Sequence, residues 1–474
     1  MMRRTIPVLI FAIAIATAGC SGSSSKSSPT PPTSGWVRTD LKPVSQPYRA
    51  GGRFVLYVQG SAGLDVVALD SKTGRTVWKI DASASGVTQG VFPTLAINGN
   101  RVVFLRDVGR GSAALVGIDA RNGSRAWNSP PGIFADWVST CADDATAVCT
   151  TGFELGQPQQ ARELRFAAAT GKPLPSPSFP SGSSPRSIAP TLYDLGTRNP
   201  EKFAAVSAGK VSWQRPLASV FTLAGASTDN GWNFDRVPDV GLFVGSVAGA
   251  PISSTPTSAV FDLSKTMTAG IRISDGSAAW RDSGTQYACS DLPCPGMAQR
   301  SEGTTNYKPP TQGLRLRLRG MVKASKTGAP TFSNFNVIVE GFTLRTGKTL
   351  WSFDAGPSKE LLESASLPAL AENTIVVKDA HNALVALNLV NGSRTPVAGG
   401  TRAWCEKPTR YTTNVPDGKS PTTSYQGDQA LFPCSTTGGA AAAPIKVPRF
   451  VGPSLDGLIA WSDAHSVLAH PSAG

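Results

Sequence analysis

Very few residues of this 474-residue chain have the types and spacing that catalysis, metal binding or phosphate binding requires. Gly347-Lys348-Thr349 matches the end of a phosphate-binding loop, but the first glycine of such a loop would fall at position 342, which is Phe342. Three histidines stand in no zinc, nucleophile or calcium-loop pattern: His381, His465 and His470. The sequence therefore predicts no catalytic residue, no metal site and no bound cofactor, and leaves open only an acidic pair assembled from separate loops.

The first 35 residues predict export and lipid attachment. An arginine pair precedes an apolar stretch, residues 6–18, that is too short for a permanent membrane-spanning helix and typical of a signal peptide. The motif TAGC at 17–20 is similar to the lipobox of bacterial lipoproteins, in which the cysteine thiol accepts diacylglycerol. We predict a signal peptide over 1–19, a lipid on Cys20, and a flexible Ser- and Pro-rich tether over 20–35. A cleaved signal peptide without a lipid is the alternative.

Six further cysteines make an even number, which suits disulfides in an oxidising compartment. Fifteen connectivities are open to six cysteines, and short loops favour three local pairs. The predicted pairs are Cys141 with Cys149, Cys289 with Cys294, and Cys405 with Cys434. A zinc site is the rival interpretation, but no second pair of ligands lies near Cys289 and Cys294.

The chain is basic, with a formal net charge of +13 at pH 7. Nucleic acid is not a natural partner for an exported protein, so anionic lipid headgroups and acidic envelope polymers are the expected counter-charges. The alternation LRLRLR at 314–319 predicts a strand with one apolar face and one basic face. Its arginines form either a basic docking surface or a merely solvated sheet face: Arg315, Arg317 and Arg319.

A short unit recurs along the whole chain and organises it. In Leu69–Trp78, an apolar strand ends in Asp, a tight turn closes on Gly74, and a second strand carries a tryptophan. The equivalent glycines are Gly74, Gly123, Gly171, Gly209, Gly276, Gly347 and Gly392. Their spacing of mostly about 40–50 residues is typical of the blades of a β-propeller. We expect the tryptophans to pack between neighbouring blades.

The ends of the chain predict how the array closes. Residues 463–468 align without gaps to 379–384 in the seventh repeat, and no turn with a following tryptophan comes after them. Residues 36–40 precede the first repeat and are similar to the tryptophan strands of other repeats. We therefore predict an all-β fold, an eight-bladed propeller over 36–474 whose last blade takes its outer strand from the N-terminus. Seven blades remain the alternative if the stretch 203–217 is an insertion.

The repeat LDxxTGxxxW resembles that of the pyrroloquinoline-quinone-type propellers, over most of residues 36–474. In the quinoprotein dehydrogenases of this group, the family pattern includes a pair of adjacent cysteines and acidic calcium ligands. Neither feature can be matched in this sequence, so a bound quinone cofactor is not expected. With its lipobox and tether, the chain more closely resembles the BamB family, exported lipoprotein propellers of outer-membrane protein assembly. That resemblance implies a scaffold that docks onto a membrane-embedded partner.

Three functional hypotheses follow. The first is a monomeric, lipid-anchored envelope scaffold that binds another envelope protein, without nucleic acid, through long polar loops at 228–239, 283–313 and 402–433. The second is a quinone-dependent or other small-molecule enzyme that uses the propeller channel. The third is a module for cell-wall polysaccharide, provided that Trp232 or Trp404 lines a channel mouth.

Overall fold

The computed structural model describes most of the chain after residue 34. The described residues are 35–474 without 61–62, 84–92, 110, 142–143, 157–161, 176–177, 184, 198–199, 208, 290–291, 293, 296–310, 326–328, 363–366, 414–422, 438–446, 449–451, 464 and 473–474. The predicted signal peptide, Cys20 and nearly all of the tether lie outside them. None of the helices in this part of the chain has the length and apolar character that crossing a membrane would need.

The chain divides into two units. The described residues of the terminal unit lie within 35–176 and 402–474, and those of the central unit lie within 177–298 and 308–401. Nearly all regular structure in both units is antiparallel sheet.

The terminal unit contains three sheets and a hairpin. The first sheet has the order β1 (Trp36–Arg38), β37 (Val467–Pro471), β36 (Leu458–Ser462), β35 (Ser454–Leu455). The second has the order β2 (Tyr48–Ala50), β3 (Arg53–Gln59), β4 (Leu64–Asp70), β5 (Thr76–Asp81). The third joins β6 (Ala96–Asn98), β7 (Arg101–Gly109), β8 (Ser112–Asp119), β9 (Arg125–Asn128), β10 (Gly132–Phe134), β11 (Ser139–Cys141), β12 (Asp144–Glu154), β13 (Arg162–Ala167) and β14 (Pro173–Leu174). The hairpin is β33 (Arg402–Thr413) with β34 (Thr423–Ser435).

The central unit contains four sheets. The first is β15 (Arg186–Ala189), β16 (Leu192–Asp194), β17 (Lys202–Ser207), β18 (Lys210–Pro216), followed by the short helix α1 (Leu217–Val220). The second is β19 (Ser227–Val237), β20 (Leu242–Ala248), β23 (Thr266–Arg272), β24 (Ala278–Ser283). The third is β21 (Ser253–Ser254), β22 (Ser258–Asp262), β26 (Gln312–Ser325), β27 (Thr331–Thr343), β28 (Thr349–Asp354), with β25 (Thr285–Tyr287) also paired to β26. The fourth is β32 (Arg394–Pro396), β31 (Leu384–Asn388), β30 (Thr374–Lys378), β29 (Ala369–Ala371).

The middle strands bury both of their faces, which explains their continuous apolar runs. In β3, Val55 and Tyr57 pack into one apolar cluster, whereas Phe54 and Leu56 pack into another. Successive side chains of a strand point to opposite faces, so a strand between two packed sheets needs an apolar residue at every position.

The recurring turn forms as its sequence predicts. The Asp70 carboxylate accepts the backbone N–H groups of Lys72 and Thr73 at 3.2 and 3.1 Å, and Gly74 has a φ of 67°. A left-handed φ of this kind costs a side-chain-bearing residue about 1–2 kcal/mol, which explains the glycine.

Each repeat tryptophan packs on the turn of the next repeat. The Trp78 indole N–H donates to the carbonyl oxygen of Ala120 at 2.8 Å, and a Cβ on Gly123 would lie 2.8 Å from Trp78 Cγ. The same arrangement joins Trp36 to Gly74, Trp127 to Gly171, Trp213 to Gly276, Trp280 to Gly347 and Trp351 to Gly392. The predicted packing of tryptophan between repeats is confirmed.

The predicted N-terminal strand is also confirmed. Trp36 of β1 lies opposite Ala469 of β37, and Arg38 lies opposite Val467, in antiparallel register. The number of blades stays a prediction, because β10 pairs with both β8 and β12 and thereby merges two repeats into one sheet.

Candidate functional site

The third sheet of the central unit carries an extension that the repeat does not need. Strands β26 and β27 have 14 and 13 residues, about twice the 7 residues of the equivalent β3 and β4. The outer half of β26, Met321–Ser325, pairs with β22. We call this outer part, residues 258–262, 319–325 and 331–336, the extension.

One face of the extension is apolar and only half-covered. Leu314, Leu316 and Leu318 are buried on this face of β26. Further along β26, Val322 lies on the same face. It is opposite Phe332 of β27 on one side and Phe261 of β22 on the other. The Phe332 ring lies 5.1 Å from that of Phe335, and these side chains are all half-buried. We call Phe261, Val322, Phe332 and Phe335 the aromatic face.

The predicted basic surface is wrong for Arg315, whose side chain is 1% exposed. Its guanidinium lies 2.7 Å from the Asp282 carboxylate and 2.8 Å from that of Glu340. It also donates to the carbonyl oxygen of Gly347 and stacks 4.8 Å from the ring centre of Phe342. A buried charge is stable only when it is paired and hydrogen-bonded in this way. The two carboxylates therefore neutralise Arg315, which the alternating sequence predicted to lie on a basic face.

Arg317 belongs to the same ionic cluster. It contacts Glu340 at 2.6 Å and Asp282 at 2.9 Å, so two arginines face two carboxylates. Burial acts to raise the pKa of Glu340, but hydrogen bonds from Arg317 and Arg315 outweigh it, and the pKa lies below its usual value. The hydrogen bond to Glu340 raises the pKa of Arg317. The cluster is therefore internal support for the sheet.

Arg319 is the arginine of the strand that is exposed, as predicted. It lies on the opposite side of the extension from the aromatic face, and Lys323 follows it four residues along the same side, also exposed. The two faces of the extension therefore differ: one is the aromatic face, and the other carries two cations.

The predicted loop at 228–239 is wrong. Most of it forms β19, and a 3-10 turn, Pro238–Val240, follows. The Thr228 hydroxyl is buried 2.8 Å from Asp194 Oδ2 and 2.7 Å from Glu201 Oε1, so its polar side chain is satisfied inside the unit. Polar composition at this point reflects buried hydrogen bonding, not solvent exposure.

Four other predicted contact features remain: two segments and two tryptophans. The segment 402–433 is mostly the β33–β34 hairpin, and much of 283–313 lies outside the described residues. Trp404 is 1% exposed, with its ring edge-on to Trp461 at 5.2 Å, so it cannot serve a glycan. Trp232 is half-buried and has the Arg186 guanidinium 5.9 Å from its ring centre.

All three predicted disulfides are present: Cys141–Cys149, Cys289–Cys294 and Cys405–Cys434. His381 and His465 occupy equivalent turns, where their backbone N–H groups donate to Asp379 and Asp463. Burial lowers the pKa of His470. Within the described ranges, no group of three or more His, Cys, Asp or Glu residues is arranged to hold a metal ion.

The comparisons with solved structures find matches at low identity and low TM-score. BamB from Moraxella catarrhalis is 12% identical, covering 91% of this chain and 99% of that one, with a TM-score of 0.28. The computationally designed Ika8 protein is 11% identical, covering 91% and 96%, with a TM-score of 0.36. A europium-containing methanol dehydrogenase is 12% identical, covering 90% and 76%, with a TM-score of 0.28. No curated protein matches the chain.

The sequence matches the family described as outer membrane protein assembly factor BamB over residues 31–152 and 307–437, just over half of the chain. These ranges contain repeats with the turn and tryptophan arrangement described above, in each of the two units. The chain has the PQQ-type repeat and the β-propeller fold, and it belongs to the BamB family.

Proposed function

We propose that this protein is a lipid-anchored scaffold of the bacterial cell envelope, which binds another envelope protein through the aromatic face of the extension. Membership of a family named for outer membrane protein assembly supports the envelope role. The lipobox-like motif that ends at Cys20 supports the anchor.

The aromatic face is the observation that carries the proposal. Val322, Phe332 and Phe335 lie on strands that exceed the length of the repeat, and Phe261 of the paired strand β22 extends their apolar surface. Contiguous apolar patches are unfavourable in water, and the buried centres of protein interfaces are rich in aromatic residues. An isolated exposed leucine would not carry the same weight, because single apolar residues are common on protein surfaces.

The positive charge of the chain indicates what charge its partner should carry. Arg319 and Lys323 line the other side of the extension, and the whole chain has a net charge of +13. A second copy of this chain would bring like charges together. We therefore infer a partner with an apolar contact patch and an overall acidic surface, since complementary charge speeds association and disfavours wrong partners.

Affinity capture with the full chain from its own envelope extract tests the proposal. The variant Phe332→Ser with Phe335→Ser is expected to lose a stoichiometric envelope protein that the unmodified chain captures. The matched control is Leu350→Ser with Val390→Ser, which removes two apolar side chains that are more exposed, elsewhere in the central unit. Equal capture by both variants, with unchanged thermal stability, would contradict the proposed docking surface.

The anchor is tested separately. Cys20→Ser is expected to move the protein from the membrane fraction to the soluble fraction and to abolish incorporation of labelled palmitate. Membrane association that persists without incorporated lipid would contradict lipidation.

The proposed function includes no quinone and no catalytic residue. A visible absorption band on adding quinone and calcium to the purified protein would contradict the proposal that the protein acts without a quinone.

A further inference from the structure

Three recurring turns of the terminal unit lie side by side at one end of their sheets. Trp36 contacts the turn at 71–75, Trp78 contacts the turn at 120–125, and Trp127 contacts the turn at 168–172. Trp78 and Trp127 follow one turn on its outer strand and contact the next turn, so these contacts align the three turns in a row. We call these three turns the turn face.

The turn face carries unbalanced positive charge. The acidic residues directly before its first two turns are already paired: Asp70 with Arg53 at 3.1 Å, and Asp119 with Arg121 at 2.5 Å. Four other cations of the turn face are exposed and have no carboxylate partner among the described residues. They are Lys72, Arg75, Arg125 and Lys172.

The predicted anchor enters at the same end. Cys20 precedes Trp36 by 16 residues, and the Trp36 indole N–H donates to the carbonyl oxygen of Ser71 in the first turn at 2.8 Å. A chain of 16 residues spans at most about 55 Å, so an acylated Cys20 would hold Trp36 and the first turn within about that distance of the bilayer.

Exposed apolar side chains accompany these cations. Val37 of β1 is 50% exposed, and Val77 of β5, which directly follows the first turn, is 41% exposed. Cationic side chains interspersed with apolar ones are typical of surfaces that lie in the headgroup region of a membrane.

We propose that the turn face binds the surface of an anionic membrane and so sets the orientation of the terminal unit. This inference rests on the proposed envelope anchoring and adds the lipid that the surface recognises. Each Lys or Arg held near an anionic surface strengthens binding about fivefold, so four cations give several hundredfold. The attraction falls off over about 8 Å at physiological salt, so only cations facing the bilayer contribute fully.

Vesicle co-sedimentation of the full chain carrying Cys20→Ser tests this inference without an acyl chain. The vesicles are pure phosphatidylcholine, or phosphatidylcholine with about 30% phosphatidylglycerol, so their difference isolates the charge-dependent binding. The test variant combines Lys72→Gln, Arg75→Gln, Arg125→Gln and Lys172→Gln. The matched control removes the same charge from four exposed cations of the central unit: Lys265→Gln, Arg319→Gln, Lys323→Gln and Lys378→Gln.

The test variant is expected to lose at least about a hundredfold in partition onto anionic vesicles, and the control less than about threefold. High salt should remove the preference of the unmodified chain for anionic vesicles. Equal losses in both variants, or binding to soluble polyphosphate without binding to vesicles, would overturn the inference. Envelope-protein capture is measured without vesicles, so an unmodified chain that captures the envelope protein but does not prefer anionic vesicles would contradict only the turn face.

Discussion

Gly123→Ala tests whether tryptophan packing on the recurring turns holds neighbouring repeats together. Gly123 has a φ of 73°, and an added Cβ would lie 2.8 Å from Trp78 Cγ, well inside contact distance. Gly52 offers a matched control in the same unit, because its φ is also 73° but no atom lies within 4 Å of its added Cβ. Both substitutions carry the cost of a left-handed alanine, about 1–2 kcal/mol. Only Gly123→Ala must also displace the buried indole.

The magnitudes separate the two variants. Displacing Trp78 weakens its hydrogen bond to Ala120, worth about 0.5–1.5 kcal/mol, and disturbs close packing at about 1–3 kcal/mol. We expect the free energy of unfolding to fall by about 3–5 kcal/mol for Gly123→Ala and about 1–2 kcal/mol for Gly52→Ala. Urea unfolding followed by tryptophan fluorescence measures both. Equal losses in the two variants would refute the packing role of the indole.

Three further predictions concern the ionic cluster, a disulfide and the N-terminal strand. Glu340→Gln should cost about 3–5 kcal/mol at pH 7. Because the pKa of Glu340 is lower in the folded state, its contribution is present above the unfolded value near 4.3 and is lost as pH falls through the folded pKa. The loss measured by denaturation should therefore shrink below about pH 5, and a pH-independent loss would contradict the pairing. Cys405→Ala with Cys434→Ala opens a loop with a sequence separation of 29 and should cost about 3–4 kcal/mol in urea unfolding; no change would contradict a structural bridge. Trp36→Ala should increase hydrogen exchange of β37 amides at least tenfold, whereas unchanged exchange would show that the strand pairs without its anchor.

The repeat was predictable because its determinants are local. An Asp, a left-handed Gly and a Trp within ten residues specify the turn and the docking side chain, as in Leu69–Trp78. The N-terminal strand was predictable for a related reason: residues 36–40 are similar to the tryptophan strands of other repeats.

The ionic cluster and the extension could not be predicted from the sequence, because they depend on contacts between residues that are distant in sequence. Asp282 and Glu340 neutralise Arg315 from positions 33 and 25 residues away, and strand alternation alone cannot show this pairing. The polar stretch at 228–239 failed as a loop because most of it pairs with β20, and Asp194 and Glu201 supply hydrogen-bond partners for its buried Thr228. Trp404 likewise depends on Trp461 for its burial. In each case tertiary contacts overrode the composition of the segment.

A site-specific photo-crosslinker placed at position 335 in living cells tests the proposed scaffold role most directly. The same reagent at position 350 is the control, because Leu350 is an exposed apolar residue on β28, away from the aromatic face. We predict one discrete cross-linked envelope protein at position 335 and none at position 350. The same products at both positions, or none at position 335, would contradict the central claim that the extension binds an envelope partner.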